Sequence, residues 1–469
     1  MKKLIVVVLA FALAGITLIC PSCRKSSFIT SKDAAVSFSA DTLFFDTVFV
    51  TTGSMTQPVK IINPNDQKLH LTDVRLMGGS QSLFAINVDG SAGPEVADID
   101  IDAGDSLYIF VAVQINPNAA NLPFIVQDSI QVAFNGSQQY IQLQAWGQNA
   151  HFLRNQVLTG STVWDATLPY VIQGGLRIDT GAALTIPAGC KVYFHADAPL
   201  LVDGSLQVSG TDSSRVLFTG DRLDVPYRNF PGSWPGIYFR GSSVNDILQY
   251  AVVENADEAV VAMMAPSGAT PKLMLQQCII DNSYDAGILG VNGSVTAVNC
   301  LISNCGQNVV LGGGGVYNFS QCTSAAFSNT YISHTQPVLA VSDAILYGTA
   351  IVSGAVQANF VNCIFWGNYG NVTDEVVVSQ QTGNSFAVGF TNCLWKVQTA
   401  PSGTGVTATG MVVNADPRFD SVNTVVNYYD FRLKAGSPAA GVGVAAGVLV
   451  DLNGAARPGV GPDLGCYQR

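Results

Sequence analysis

Cys278, Cys300 and Cys322 recur at an interval of 22 residues, each inside a short apolar run. Cys363 and Cys393 follow in the same setting, as Val-Asn-Cys-Ile-Phe and Thr-Asn-Cys-Leu-Trp. Ala251 and Ala344, the latter 22 residues after Cys322, read as occupants of the same slot. A fixed period of this length, with short strands and no helical periodicity, is the signature of a solenoid. One turn cannot bury its apolar face alone; stacked turns share a core. The same geometry argues against disulfides. In-register residues on adjacent parallel strands lie about 4.8 Å apart, and a disulfide prefers Cβ atoms roughly 3.5–4.5 Å apart. The cysteines therefore read as buried free thiols acting as small hydrophobes. A metal ladder is disfavoured because no histidine accompanies them: the chain has only His70, His151, His195 and His334.

Composition agrees with a β-solenoid. Of 469 residues only 12% are charged, 48% are hydrophobic and 46 are glycine. A long helical chain needs more charge on its wet faces, and a disordered one has less apolar content. The net charge is -11 with 22 Lys+Arg, so a nucleic-acid partner is excluded for want of a basic footprint.

The first 22 residues read as a signal peptide. Lys2 and Lys3 precede an apolar stretch, residues 4–19, that is short for a membrane span. Pro21-Ser22-Cys23 resembles a bacterial lipoprotein lipobox, although Cys20 stands where that motif usually has Leu. The resemblance implies that Cys23 is the acylated N-terminus and that the membrane is reached through a lipid anchor, several acyl chains making it stable. With no Asp after Cys23, it also implies an outer-membrane lipoprotein, facing either the periplasm or the cell surface. An ordinary signal peptide is the alternative. Residues 23–33 then form a tether.

Residues 34–150 carry alternating runs such as Leu43-Phe-Phe-Asp-Thr-Val and Leu107-Tyr-Ile-Phe-Val, punctuated by Asn-Pro, Gly-Gly and Asn-Gly turns. Seven such runs suit an immunoglobulin-like β-sandwich. The order Phe45-Asp-Thr-Val, Ile62-Asn-Pro-Asn, Phe84-Ala-Ile and Ala103-Gly-Asp-Ser resembles abnormal-spindle/hydin-type domains, which implies a spacer or binding module. From residue 155 the chain changes. Tyr170-Val-Ile-Gln-Gly-Gly-Leu-Arg-Ile, Ala183-Leu-Thr-Ile-Pro-Ala-Gly-Cys190 and Leu200-Leu-Val-Asp-Gly resemble the opening turns of right-handed parallel β-helices of the pectate-lyase-like superfamily. Residues 155–400 are read as that coil. Asn255, Asn282 and Asn304 each follow the slot by four residues, as a ladder of turn asparagines would. Residues 401–469 read as further turns and a cap, with Asp451, Arg457 and Asp463 holding the cap instead of performing chemistry. The fold class is thus all-β: a sandwich, a right-handed parallel β-helix and a C-terminal cap.

The superfamily resemblance implies polysaccharide lyases, which use Ca²⁺ and a basic residue, or hydrolases, which use paired carboxylates. Residues 273–395 contain no Lys or Arg, and the polygalacturonase motifs are absent. A basic lyase site in the middle turns is excluded. One constellation remains. Glu254, Asp257, Glu258, Asp281 and Asp285 fall on neighbouring turns, and Glu254 and Asp281 both stand three residues after the slot. Stacked carboxylates repel unless one is protonated or a cation such as Ca²⁺ lies between them. Upstream, the insertion 221–234 brings Asp221, Arg222, Asp224, Tyr227, Arg228 and Phe230 beside that strip, with Trp234 read as packing. The plain alternative is a solvated turn face under a packing loop. The functions compatible with these features are a non-catalytic envelope protein that binds polysaccharide or another envelope protein, a carbohydrate-active enzyme with a divergent site, and a structural or adhesive surface protein.

Overall fold

The computed structural model describes residues 27–49, 53–116, 124–264 and 271–469. The signal peptide, Cys20, Cys23 and the start of the tether lie outside the described residues. The chain divides into two compact units, residues 1–149 and 150–469.

The first unit is a β-sandwich. One sheet orders Ser37–Phe38, Gln57–Ile62, Ser106–Val113, Phe84–Val88 and Ser91–Ala92. The other orders Thr42–Phe49, Ser137–Gln148, Phe124–Phe134, Leu69–Leu76 and Glu95–Ile101. Pairing is antiparallel except between Thr42–Phe49 and Ser137–Gln148. Period-2 alternation sets the core: Ile109 and Val111 are fully buried while Tyr108 and Phe110 between them are exposed. Three strands lie beyond the seven expected runs: Phe84–Val88, Ser91–Ala92 and Glu95–Ile101. The last reads Glu-Val-Ala-Asp-Ile-Asp-Ile and sits at a sheet edge, where carboxylates discourage pairing with another chain.

The second unit is a parallel β-helix. Twenty-six strands pair in one continuous parallel sheet that winds from His151–Leu158 to Val412–Val413. Its interior is a single apolar column running from Trp164 to Val397. The register aligns one slot through eight rungs: Cys190, Val216, Ala251, Cys278, Cys300, Cys322, Cys363 and Cys393. All the described cysteines are buried and unpaired. Their thiols donate to strand carbonyls, as Cys278 Sγ does to Leu248 O at 3.1 Å. Ala344 does not occupy the slot, contrary to the 22-residue count. The turn after Cys322 carries an antiparallel hairpin, Ala344–Tyr347 with Ala350–Ser353, so the next slot residue is Cys363. The hairpin is inserted because Ile345, Tyr347 and Val352 cover an outward apolar patch made by Val261, Ala286, Leu289 and Val291.

Two corners turn the coil in left-handed backbone. At one, the residue preceding the slot has φ 46° at Tyr250, 50° at Gln277, 51° at Asn299, 55° at Gln321, 54° at Asn362 and 49° at Asn392. At the other, Asn255, Asn282 and Asn304 have φ 62°, 55° and 51°. Asparagine tolerates this region because its short amide hydrogen-bonds locally.

The C-terminal residues follow the coil's last strand, Val412–Val413. They run back along its flank. Asn392 Nδ2 donates to Val442 O at 2.8 Å, Asn362 Nδ2 to Val444 O at 2.8 Å, and Asn299 Nδ2 to Val450 O at 2.5 Å. Arg215 reaches Leu452 O at 2.6 Å. The physical reason is an apolar flank. Leu301, Ala325, Phe327, Ile364, Trp366 and Leu394 point outward from the coil and are buried under Phe419, Phe431, Leu433, Leu452 and Leu464. Asp451, Arg457 and Asp463 are buried within this strap. Asp451 accepts the backbone N–H groups of Asn453 and Ala455, both at 2.8 Å. Arg457 donates to Gly465 O at 2.8 Å and to Asn299 Oδ1 at 3.0 Å.

Candidate functional site

Glu254 and Asp281 are direct register partners on adjacent strands, Ala251–Glu254 and Ile279–Asp281. Each immediately precedes a corner asparagine, so both side chains emerge where the coil bends. They line a cleft of about 140 Å³ together with Asn229, Asn255, Asn282, Asn304, Asn329, Tyr331, Asn427 and Tyr429. No Lys or Arg lines it. Burial, and then the negative charge of Asp281, push the Glu254 carboxyl up to about 7. Burial raises Asp281 as well, opposed by hydrogen bonds from Ser303 and Asn304. Ser303 Oγ donates to Asp281 Oδ1 at 2.6 Å. At neutral pH much of Glu254 therefore keeps its proton, and the pair presents one hydrogen-bond donor and one acceptor.

The asparagine ladder forms the cleft floor and fastens the insertion. Asn282 Nδ2 donates to Asn255 Oδ1 at 2.7 Å and to Asn229 O at 2.8 Å. Asn255 Nδ2 donates to Arg228 O at 3.1 Å. Trp234 is buried and its indole N–H donates to Glu254 O at 2.9 Å. Phe230 meets Tyr331 edge to face at 5.3 Å, bringing the insertion against the cleft rim.

The other expected site residues are not brought together with this pair. Asp257, Glu258 and Asp285 lie beyond the Asn255 corner. Asp257 lines a shallow open hollow with Trp234 and Tyr284. Glu258 is raised chiefly by burial and hydrogen-bonds Tyr238. Within the insertion the charges are spent locally. Asp221 holds His195 Nδ1 at 2.8 Å. Asp224 takes Arg222 in a two-pronged contact at 2.8 and 3.0 Å. The Arg222 guanidinium lies 4.0 Å from the centre of the Tyr227 ring. Arg228 contributes its carbonyl and leaves its side chain exposed. Among the described residues no three His, Cys, Asp or Glu side chains converge as a metal ion requires.

Four cleft residues carried no sequence signal, Asn329, Tyr331, Asn427 and Tyr429, while Asn229 lies within the insertion 221–234. Asn329 and Tyr331 belong to the loop after Thr323–Phe327, and Asn427 and Tyr429 to the strap hairpin of Phe419–Asn423 and Tyr428–Leu433. None belongs to the repeat, so counting rungs does not reach them. Asn427 Oδ1 is buried without a hydrogen-bond partner from the protein.

No family model matches the chain, and no curated protein matches it. Among solved structures it is similar to pectate lyase Pel9A, at 13% identity over 68% of this chain and 97% of that one, with a TM-score of 0.22. A family 123 glycoside hydrolase from Clostridium perfringens is similar at 11% identity, a TM-score of 0.18, and 25% of this chain. The match spans only 30% of that hydrolase. The ASH/PapD-like domain 7 of human CEP192 is similar at 9% identity over 28% of this chain and 92% of that domain, with a TM-score of 0.17. Likenesses this distant carry nothing about activity.

Proposed function

We propose that this chain is an envelope lipoprotein, anchored to the outer membrane through Cys23, whose β-helix binds a neutral polysaccharide without cleaving it. The immunoglobulin-like sandwich serves as the spacer between anchor and coil. The observation that carries the reading is the chemistry of the Glu254–Asp281 cleft. Its walls are asparagine amides and tyrosine rings, the groups that hydrogen-bond hydroxyls and stack on sugar faces. With no Lys or Arg lining the cleft, an anionic sugar would be repelled by the carboxylate pair, whereas a neutral one accepts both the donor and the acceptor. Calorimetric titration with neutral oligosaccharides (xylo-, manno-, gluco- and galacto-series) tests this. Binding lost in the double variant Glu254→Ala/Asp281→Ala supports it; no binding of any series defeats it and leaves the structural or adhesive reading.

A second reading is favoured by one observation, the Glu254 carboxyl poised at about 7 beside another carboxyl. That is the range of a general acid, and paired carboxyls are what glycoside hydrolysis uses. New reducing ends from the same panel, abolished in Glu254→Gln, would establish hydrolysis. Unchanged chain length with binding retained keeps the non-catalytic reading.

A further inference from the structure

A second hollow, of about 380 Å³, lies on the flank where the strap crosses the later turns. Trp366, Tyr369 and Phe419 line it together with Arg418, Lys434 and Asp416. Its neighbour is the carboxylate cleft: Phe327 backs Tyr369 at 6.1 Å on one side and Tyr429 of the cleft at 6.1 Å on the other. Three observations set it apart from an ordinary surface dip.

The first is charge. The chain is acidic overall, and its cations are few. Arg418 and Lys434 nevertheless meet at one hollow, and neither forms an ion pair among the described residues. Arg418 Nη1 donates to Gly436 O at 3.1 Å, which fixes the guanidinium and leaves its other edge free. Asp416 is engaged by the backbone, accepting Arg418 N–H at 2.7 Å. A third cation, Lys396, lies 5.6 Å from the centre of the Trp366 ring.

The second is exposure. Tyr369 shows 64% of its surface although Phe327 stands behind it. The third is backbone. Tyr369 has φ 59° and Arg418 φ 54°. Left-handed conformations suit glycine and asparagine and are unusual for bulky side chains. Neither residue belongs to the two corner ladders, and most of the other such positions are Asn, Asp or Gln. Strained residues of this kind collect at functional sites. Here both present their side chains to the same hollow.

We infer that this hollow is a binding subsite for a sugar residue bearing an anionic oxygen group, a carboxylate, sulfate or phosphate. The anion meets the free edge of Arg418 and the Lys434 ammonium, and the ring stacks on Tyr369 beside Trp366. The inference stands apart from the neutral-polysaccharide reading of the cleft. If both hold, the natural glycan is a mixed polymer in which an acidic residue follows a neutral stretch.

The experiment is titration of the full chain, at low and moderate salt, with glucose, glucuronate, glucose 6-sulfate and glucose 6-phosphate, followed by tryptophan fluorescence and calorimetry. At least one anionic sugar is expected to bind at least tenfold more tightly than glucose, with affinity falling as salt rises. The three anionic arms identify the group. Arg418→Ala/Lys434→Ala should remove that preference. Tyr369→Gly should weaken binding several-fold while leaving the melting temperature unchanged or higher, because glycine relieves the left-handed strain; a misfolded variant would melt lower instead. Glu254→Ala/Asp281→Ala should leave this binding intact, so failure of the cleft and failure of the hollow are read separately. Equal binding of glucose and the anionic sugars, or indifference to the Arg418, Lys434 and Tyr369 changes, overturns the inference.

Discussion

A single carboxyl carries most of the site's chemistry. Glu254 ionises near 7 in the folded chain and near 4.5 when unfolded. Between those values the native state holds a proton that the unfolded state has lost, so stability falls as pH rises through this window. The loss is complete above about pH 7 and, at about 1.4 kcal/mol per unit, is on the order of 3–4 kcal/mol. Glu254→Gln should flatten that part of the stability profile. Chemical denaturation at pH 5 and pH 8 reads it: the wild type loses stability across the interval and the variant loses less. An identical slope in both would mean that Glu254 is not the buried acid described here. The slot thiols shift in the same direction, in a higher pH range. Burial raises Cys278, Cys300, Cys322 and Cys363 well above the usual thiol range. They are expected to resist alkylation at pH 8 until the coil unfolds, and then to react without any reductant. Peptide mapping after alkylation, with and without denaturant, decides this; a disulfide-linked pair among them refutes it.

At the scale of strands and turns, the coil was legible because its repeat is carried by buried residues whose spacing cannot drift. Counting from Cys278 to Cys300 to Cys322 gives the rung, and the rung places Glu254 opposite Asp281. The count fails where a turn takes an insertion, as at Ala344, because a hairpin added on the outside leaves the interior slot unaltered. Cys190 and Val216 were hidden for the same reason: the early turns are uneven in length although their slots align. The left-handed residue before the slot cysteines from Cys278 onward is an Asn or Gln, and its second duty appears only in three dimensions. Asn299 turns the corner and also holds the strap through Val450 O and Arg457. Two substitutions separate these duties. Asn299→Gly keeps the backbone freedom and loses the hydrogen bonds, costing about 1–2 kcal/mol. Asn299→Ala loses both and costs about 1 kcal/mol more. Equal losses in urea unfolding would show that the corner conformation carries no cost.

For the β-helix as a whole, the strap decides whether the coil has a usable surface. A solenoid is stabilised turn by turn, each turn contacting its neighbours. The strap breaks that one-dimensional rule by tying Asn392, Asn362, Asn299 and Arg215 to one segment. It also supplies Asn427 and Tyr429 to the cleft and Arg418 and Lys434 to the second hollow. None of this follows from composition or period, because the strap has neither; its partners are chosen by the apolar flank it covers. Phe431 is the central contact. It is 4% exposed and packs on Phe419 at 5.1 Å, Tyr429 at 5.9 Å and Phe327 at 6.2 Å. Phe431→Ala should cost about 3–5 kcal/mol locally. The cost falls on the strap and the turns beneath it, while the early turns keep their own stacked core. Hydrogen exchange is the discriminating measurement. Amides of residues 419–433 should lose protection by orders of magnitude, those of residues 170–208 should keep theirs, and ligand affinity at the cleft should fall along with Tyr429 placement. Uniform loss of protection along the coil would mean that strap and solenoid unfold as one unit, and that the strap stabilises the whole column instead of building sites on its flank.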